Sequence, residues 1–135
     1  MTIVVCIDDQ GGILFNHRRV SADCAVISDL MELAGEQTIC MRPYSAKLFP
    51  VQGSIRVTEQ YLSDTCPGEI LFLEDAVPEN LMTNAKKLIV YRWNRLYPSD
   101  VRFPLDLLQR LGKPESSVDF RGNSHSKITR EVYVL

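Results

Sequence analysis

Two apolar runs that never alternate constrain this chain more than any other feature. Thr2–Ile7 (TIVVCI) and Ile70–Leu73 (ILFL) are rich in β-branched and apolar residues at successive positions. A strand with one wet face alternates apolar and polar side chains, because neighbours point to opposite sides of the sheet. A strand apolar at every position has both faces covered. Such strands belong to the middle of a largely parallel sheet with helices packed on each side.

The rest of the chain supplies the other layers. Asp8-Asp9-Gln10-Gly11-Gly12 is a turn, and Ile13-Leu14-Phe15 a short apolar loop. Ser21 is the expected N-cap of a helix whose apolar positions are Val26, Ile27, Leu30, Met31 and Leu33, closed at Ala34-Gly35. Further strands are expected over 38–41, 54–58 and 87–93, with short helices over 43–49 and 78–85. The first of these helices starts at Pro43 and stops at Pro50. Tyr97-Pro98-Ser99-Asp100 reads as a turn. Two late strands, over 117–121 and 128–134, flank the turn Gly122-Asn123-Ser124-His125 and should pair antiparallel at one edge. The fold class is therefore α/β: one domain over 1–135, with a mostly parallel central sheet flanked by helices and an antiparallel C-terminal edge hairpin.

Charge and cysteine usage narrow the function. Up to Met82 there are 12 acidic and 5 basic residues; from Thr83 on there are 5 acidic and 10 basic. A basic half is one mark of a nucleic-acid partner. Here Lys86, Lys87, Arg92, Arg95, Arg102, Arg110, Arg121, Lys127 and Arg130 are scattered, without interleaved aromatics, so a solvated face is the better reading. Cys6, Cys24, Cys40 and Cys66 form no C-x-x-C pair, and three lie in apolar runs. Buried free thiols in a reducing cytoplasm are expected, rather than a zinc site. A binuclear zinc nuclease of the ribonuclease Z kind needs an H-x-H-x-D-H run, and this chain has two histidines in all. No apolar run approaches membrane-spanning length.

Five segments, in order and at matching spacing, carry a family resemblance. The first strand followed by DDQGGILFN is similar to an opening strand and a glycine-containing active-site loop. Val20–Asp23 (VSAD) resembles Leu-Pro-Ala-Asp at the start of a first helix. Thr38–Ser45 (TICMRPYS) resembles the turn Ile-Met-Gly-Arg-x-Thr. Ser99–Pro104 (SDVRFP) resembles Gly-Asp-x-x-Phe-Pro, and Asn123–Ser126 (NSHS) resembles the turn before a last strand. Together they resemble dihydrofolate reductase from end to end.

That resemblance implies roles for particular residues. Asp23 becomes the carboxylate that binds a pterin-like ring and supports its protonation, the candidate catalytic group. A carboxylate in the first turn of a helix is also favoured by the macrodipole alone. The family's threonine partner on the fifth strand is here Tyr91, bulky enough to fill the pocket itself. His17 and Arg18, in the loop before Asp23, and Ile27 on the first helix complete the expected ligand-binding set; His17, Arg18 and Arg19 would flank the mouth of the cleft and attract an acidic ligand or partner. Ser45 takes the place of the threonine that holds cofactor phosphate at a helix start, with Arg42 beside it as a source of positive charge. His125 is expected to hydrogen-bond within its turn.

Two departures weigh against the family's chemistry. Leu73, Glu74 and Asp75 stand in place of its glycine triplet. Glycine there allows close approach of a pyrophosphate, whereas two carboxylates repel it. Gln52 falls near the arginine that clamps the folate tail, and a neutral amide makes no charged bidentate contact. The expectation is a small bacterial or mobile-element protein that keeps the framework without the cofactor, a pseudoenzyme acting as a small-ligand-binding or protein-interaction module. A working reductase using NADP, with Asp23 and Ser45 functional, is the first alternative. A nucleic-acid-associated protein using the basic C-terminal half is the second.

Overall fold

The computed structural model describes residues 1–50, 54–65, 67–78 and 80–135. In chain order the elements are β1 (Thr2–Ile7), β2 (Gly12–Phe15), β3 (Arg18–Arg19), α1 (Cys24–Ala34), β4 (Ile39–Met41), α2 (Pro43–Ala46), β5 (Ile55–Val57), α3 (Tyr61–Asp64), β6 (Ile70–Leu73), a 3-10 turn (Leu81–Asn84), β7 (Lys87–Arg92), β8 (Val101–Arg102), α4 (Leu105–Leu111), β9 (Ser116–Phe120) and β10 (Ile128–Val134).

The main sheet has the order β5-β4-β6-β1-β7-β10-β9. β1 lies between β6 and β7 and runs parallel to both. β4 pairs in parallel with β5 and β6. β10 is antiparallel to β7 and to β9, which closes the edge. The unalternating strands sit where two covered faces are needed. Ile3, Val5 and Ile7 enter one core cluster with Leu71, Leu73, Leu88, Val90 and Phe103. Val4 turns the other way, to a second cluster with Phe72, Ile89, Tyr91, Val26, Ile27 and Leu30. The expected mostly parallel sheet, helix-flanked and with an antiparallel C-terminal edge, is the architecture observed.

Several local expectations need correction. Ile13-Leu14-Phe15 is not a loop: it is part of β2, in a second sheet of order β3-β2-β8. Its partner Val101 is far along the chain, so no local pattern reveals the pairing. The N-cap of α1 is Asp23, not Ser21; its Oδ1 accepts from Ala25 N at 2.9 Å. The helix expected over 43–49 is shorter, and only the 3-10 turn forms within 78–85. α3 and α4 carry four and seven residues, too few for a periodic signal, and were not expected. Leu33 lies on the exposed side of α1. Among the cysteines, Cys40 is buried but Cys24 is exposed, because it occupies the first helical position beyond the cap. Cys66 and Gln52 lie outside the described residues.

A buried carboxylate ties the first turn to the rest. Asp8, 1% exposed, accepts from Gln10 N and Gly12 N on one oxygen and from Tyr97 N at 3.0 Å on the other. That places the 97–98 segment against the β2–β3 hairpin. Among the described residues, no helix is long and apolar enough to cross a membrane. Nor does any group of three or more His, Cys, Asp or Glu among them offer a metal site.

Candidate functional site

Asp23 is fixed by α1 at one end and by the β9–β10 connection at the other. Its Oδ1 accepts from Ala25 N and from Asn123 N at 2.8 Å. Its Oδ2 accepts from Ser124 N at 2.8 Å and pairs with His125 Nδ1 at 2.9 Å. Burial opposes ionisation of this carboxyl, but the bonds from Asn123, His125, Ser124 and Ala25 overcome it and hold the carboxyl well below the usual range. The space beside Asp23, bounded by Cys6, Ser21, Ile27, Leu48, Phe72 and Trp93, is a crevice of about 20 Å³. That is room for about one water, not for a bicyclic ring. Burial, then the Glu74 charge, pushes the Cys6 thiol at its margin upward, which makes it a poor nucleophile.

His125 belongs to this site as much as Asp23 does. It is 4% exposed, and its ring stacks on Trp93 with centroids 4.7 Å apart. Nε2 lies 2.9 Å from Ser21 Oγ and 3.0 Å from Tyr97 Oη. The ionised Asp23 only accepts, so Nδ1 directs a proton at it, and Nε2 faces two hydroxyls, of which Ser21 Oγ also donates to Tyr97 Oη at 3.2 Å. His125 therefore reaches well beyond its own turn. No local pattern links Ser21, Trp93, Tyr97 and His125, because distant stretches of the chain bring them together. The nearest signal was the NSHS turn.

Tyr91 does not line the crevice. It is fully buried in the cluster over α1, and its hydroxyl donates to Asp29 Oδ2 at 2.6 Å; Arg130 Nη1 binds both oxygens of the same carboxylate. Burial, then the bond to Asp29, raises the Tyr91 phenol. Ile27 does line the crevice.

At the end of β6 the chain supplies its own anion. The Glu74 carboxylate accepts from Ser45 Oγ at 2.6 Å and from Arg19 Nε and Nη2 at 2.8 and 3.0 Å. Arg42 donates to the Glu74 carbonyl at 2.9 Å and pairs with Asp75 at 3.6 Å. Tyr44 packs beneath the Arg19 guanidinium, 4.0 Å from ring centroid to Cζ. Ser45 and Arg42, the two expected phosphate ligands, are thus both engaged by the acidic pair. Arg19, expected at the mouth of the cleft, instead turns inward and is the principal cation here.

His17 and Arg18 are exposed and line a separate groove of about 520 Å³ with Phe15, Asn16, Arg19, Val20, Tyr97 and Pro98. Asn16 and His17 both have positive φ, +51° and +67°, as a two-residue hairpin turn between β2 and β3 requires. A larger cavity, about 810 Å³, opens elsewhere, between Tyr61, Leu62, Leu81 and Lys86.

Comparison with known proteins fixes the fold. No family model and no curated protein sequence matches the chain. Among solved structures, dihydrofolate reductase from Enterococcus faecalis, complexed with NADP(H) and RAB-propyl, superposes with a TM-score of 0.67 over 98% of this chain and 94% of that one, at 11% identity. The chain has a dihydrofolate reductase-like fold.

Proposed function

We propose that this protein uses the dihydrofolate reductase-like fold without NADPH, and works as a binding module for a small acidic ligand or an acidic protein segment. One observation carries the reading: the Glu74 carboxylate already holds the Ser45 hydroxyl and the Arg19 guanidinium. A pyrophosphate entering there meets two carboxylates and must first break a partly buried ion pair. Like charges about 4 Å apart at the dielectric of a protein surface repel by roughly 4 kcal/mol. The crevice beside Asp23 leaves no room for a pterin ring either. The accessible Arg18 guanidinium and the His17 imidazole lie instead on the groove with Phe15 and Tyr97, which pairs positive charge with aromatic surface.

Titration with NADPH and with methotrexate, followed by thermal stability, tests this. A specific ligand at 100 times its dissociation constant stabilises by about 2.7 kcal/mol. Neither compound is expected to shift the melting temperature. A clear NADPH shift that Ser45→Ala abolishes overturns the proposal and favours a working reductase. A small dicarboxylate or an acidic peptide should give a shift that Arg18→Ala weakens.

A further inference from the structure

Beyond ligand binding, the geometry points to a nucleophilic serine at Ser21, activated by His125 and oriented through Asp23, that takes short-chain acyl esters. The distances match what acyl transfer needs: Asp23 Oδ2 to His125 Nδ1 is 2.9 Å, and His125 Nε2 to Ser21 Oγ is 2.9 Å. A nucleophile within hydrogen-bond reach of a base, itself oriented by a third group, is the general signature of an activated hydroxyl. The imidazole cannot drift. Stacking on Trp93 fixes its plane, and the side chains of His125 and Asp23 are 2% and 0% exposed.

A second observation points to a ligand in the same place. Trp93 lines the crevice that Ser21 also lines, and its buried indole N–H has no acceptor among the described residues. An orphaned buried donor costs about 1–3 kcal/mol; this N–H is sealed from water-sized contact, so an entering carbonyl oxygen gains it where the ring shifts toward the crevice. The walls are mostly apolar, from Ile27, Leu48 and Phe72, and the space of about 20 Å³ holds about one water-sized group, so the carbonyl oxygen of a small acyl group enters it while the rest of the ester stays at its mouth. Tyr97, 3.2 Å from Ser21 Oγ, also lines the larger groove, which gives the leaving alcohol an exit.

The reaction balances without a cofactor. Ser21 Oγ attacks the acyl carbon while its proton passes to His125 Nε2. The bond from that carbon to the leaving oxygen breaks, and the same proton goes to the departing alcohol. Water then repeats the sequence on the acyl-serine, with His125 taking a proton from it, and releases the carboxylic acid and Ser21. Ser21 and His125 are the catalytic residues; Asp23 is a positioning residue.

Methanesulfonyl fluoride, which carries only a methyl group on its sulfonyl, tests this by sulfonylating an activated serine irreversibly. The full chain should gain one methanesulfonyl group, mapped to Ser21 by peptide mass spectrometry, and the bulkier phenylmethanesulfonyl fluoride should react more slowly. Ser21→Ala, which leaves every Asp23 contact in place, should abolish the adduct. His125→Gln should slow it by about 10²–10⁴-fold, the usual contribution of a general base. Melting curves establish that each protein is folded; if His125→Gln is not, Ser21→Ala and the mapped site decide. No adduct on the folded wild type, an adduct elsewhere, or an undiminished rate in folded His125→Gln overturns the assignment and leaves the network purely structural.

Discussion

Replacing Asp23 with alanine isolates the bond set that joins the two ends of this fold. The carboxylate caps α1 through Ala25 N, and loss of such a cap costs about 1 kcal/mol. It also accepts from Asn123 N, Ser124 N and His125 Nδ1. Asn123 and Ser124 are exposed residues, so water restores much of what their N–H groups lose. His125 is buried, and its Nδ1–H keeps only the longer contact with Ser124 Oγ at 3.2 Å, at a cost of about 2 kcal/mol. Asp23→Ala should therefore destabilise by about 3–4 kcal/mol, a large share of the roughly 5–15 kcal/mol typical of a domain. For a chain of this size that lowers the melting temperature by about 12–16 °C, readable by circular dichroism or calorimetry. Asp23→Asn keeps a good cap and one accepting oxygen, so it should cost clearly less. A loss below about 1 kcal/mol for alanine would refute the reasoning, because the cap alone delivers that much.

Acid gives an independent check on the same residue. The native Asp23 carboxyl is held below its usual value, whereas in the unfolded chain it titrates near about 3.9. A depressed native pKa means that the unfolded state binds the proton more readily. The stabilisation is then complete above about pH 5 and fades as pH falls below about 4, toward the native pKa. The stability gap between wild type and Asp23→Asn, from urea unfolding at several pH values, should be flat near neutrality and narrow on acidification. A gap that widens in acid contradicts the assignment.

Three further outcomes follow from single contacts. Glu74→Ala strands the Arg19 guanidinium, whose side chain is 17% exposed, and should cost about 2–4 kcal/mol in chemical denaturation, between a surface and a fully buried ion pair. Gly122→Ala puts a Cβ 2.5 Å from Asp23 Oδ2 and 2.7 Å from Ile128 Cδ1, so it should lower stability by about 1–3 kcal/mol and slow exchange protection at the Ser124 amide should be lost. His17→Gly relieves a left-handed backbone at +67° and should raise the melting temperature, by about 0.5–1 kcal/mol in stability, while weakening any acidic ligand of the groove.

The central sheet was legible because β1 and β6 carry their environment in their composition: residues apolar at every position have nowhere to go but between two layers. The second sheet was not, since β2 meets β8 across a sequence gap that no local pattern spans. The acidic end of β6 was legible as a charge anomaly, but not its resolution. Repulsion of phosphate can be reasoned from Glu74 and Asp75 alone; that Arg19 and Ser45 turn inward to Glu74 depends on the β2–β3 hairpin reaching α2. Tyr91 shows the same limit. Its bulk was plain from the sequence, but its direction is set by Asp29 and Arg130, the latter on β10.

The acidic pair and the Asp23 network act in opposite ways on the two halves of the cleft. At β6, Glu74 places a negative charge at the start of α2, where a four-residue helix contributes little field of its own, and lets Arg19 and Ser45 satisfy it. The positive charge that would meet an incoming phosphate is thereby spent inside the protein. At α1, five donors, counting the Ser124 hydroxyl, saturate Asp23 and leave it no capacity to protonate a ring. Saturation there has a different consequence: it fixes His125 with Nε2 toward Ser21. Glu74 thus draws its partners inward, while Asp23 orients the imidazole that faces Ser21.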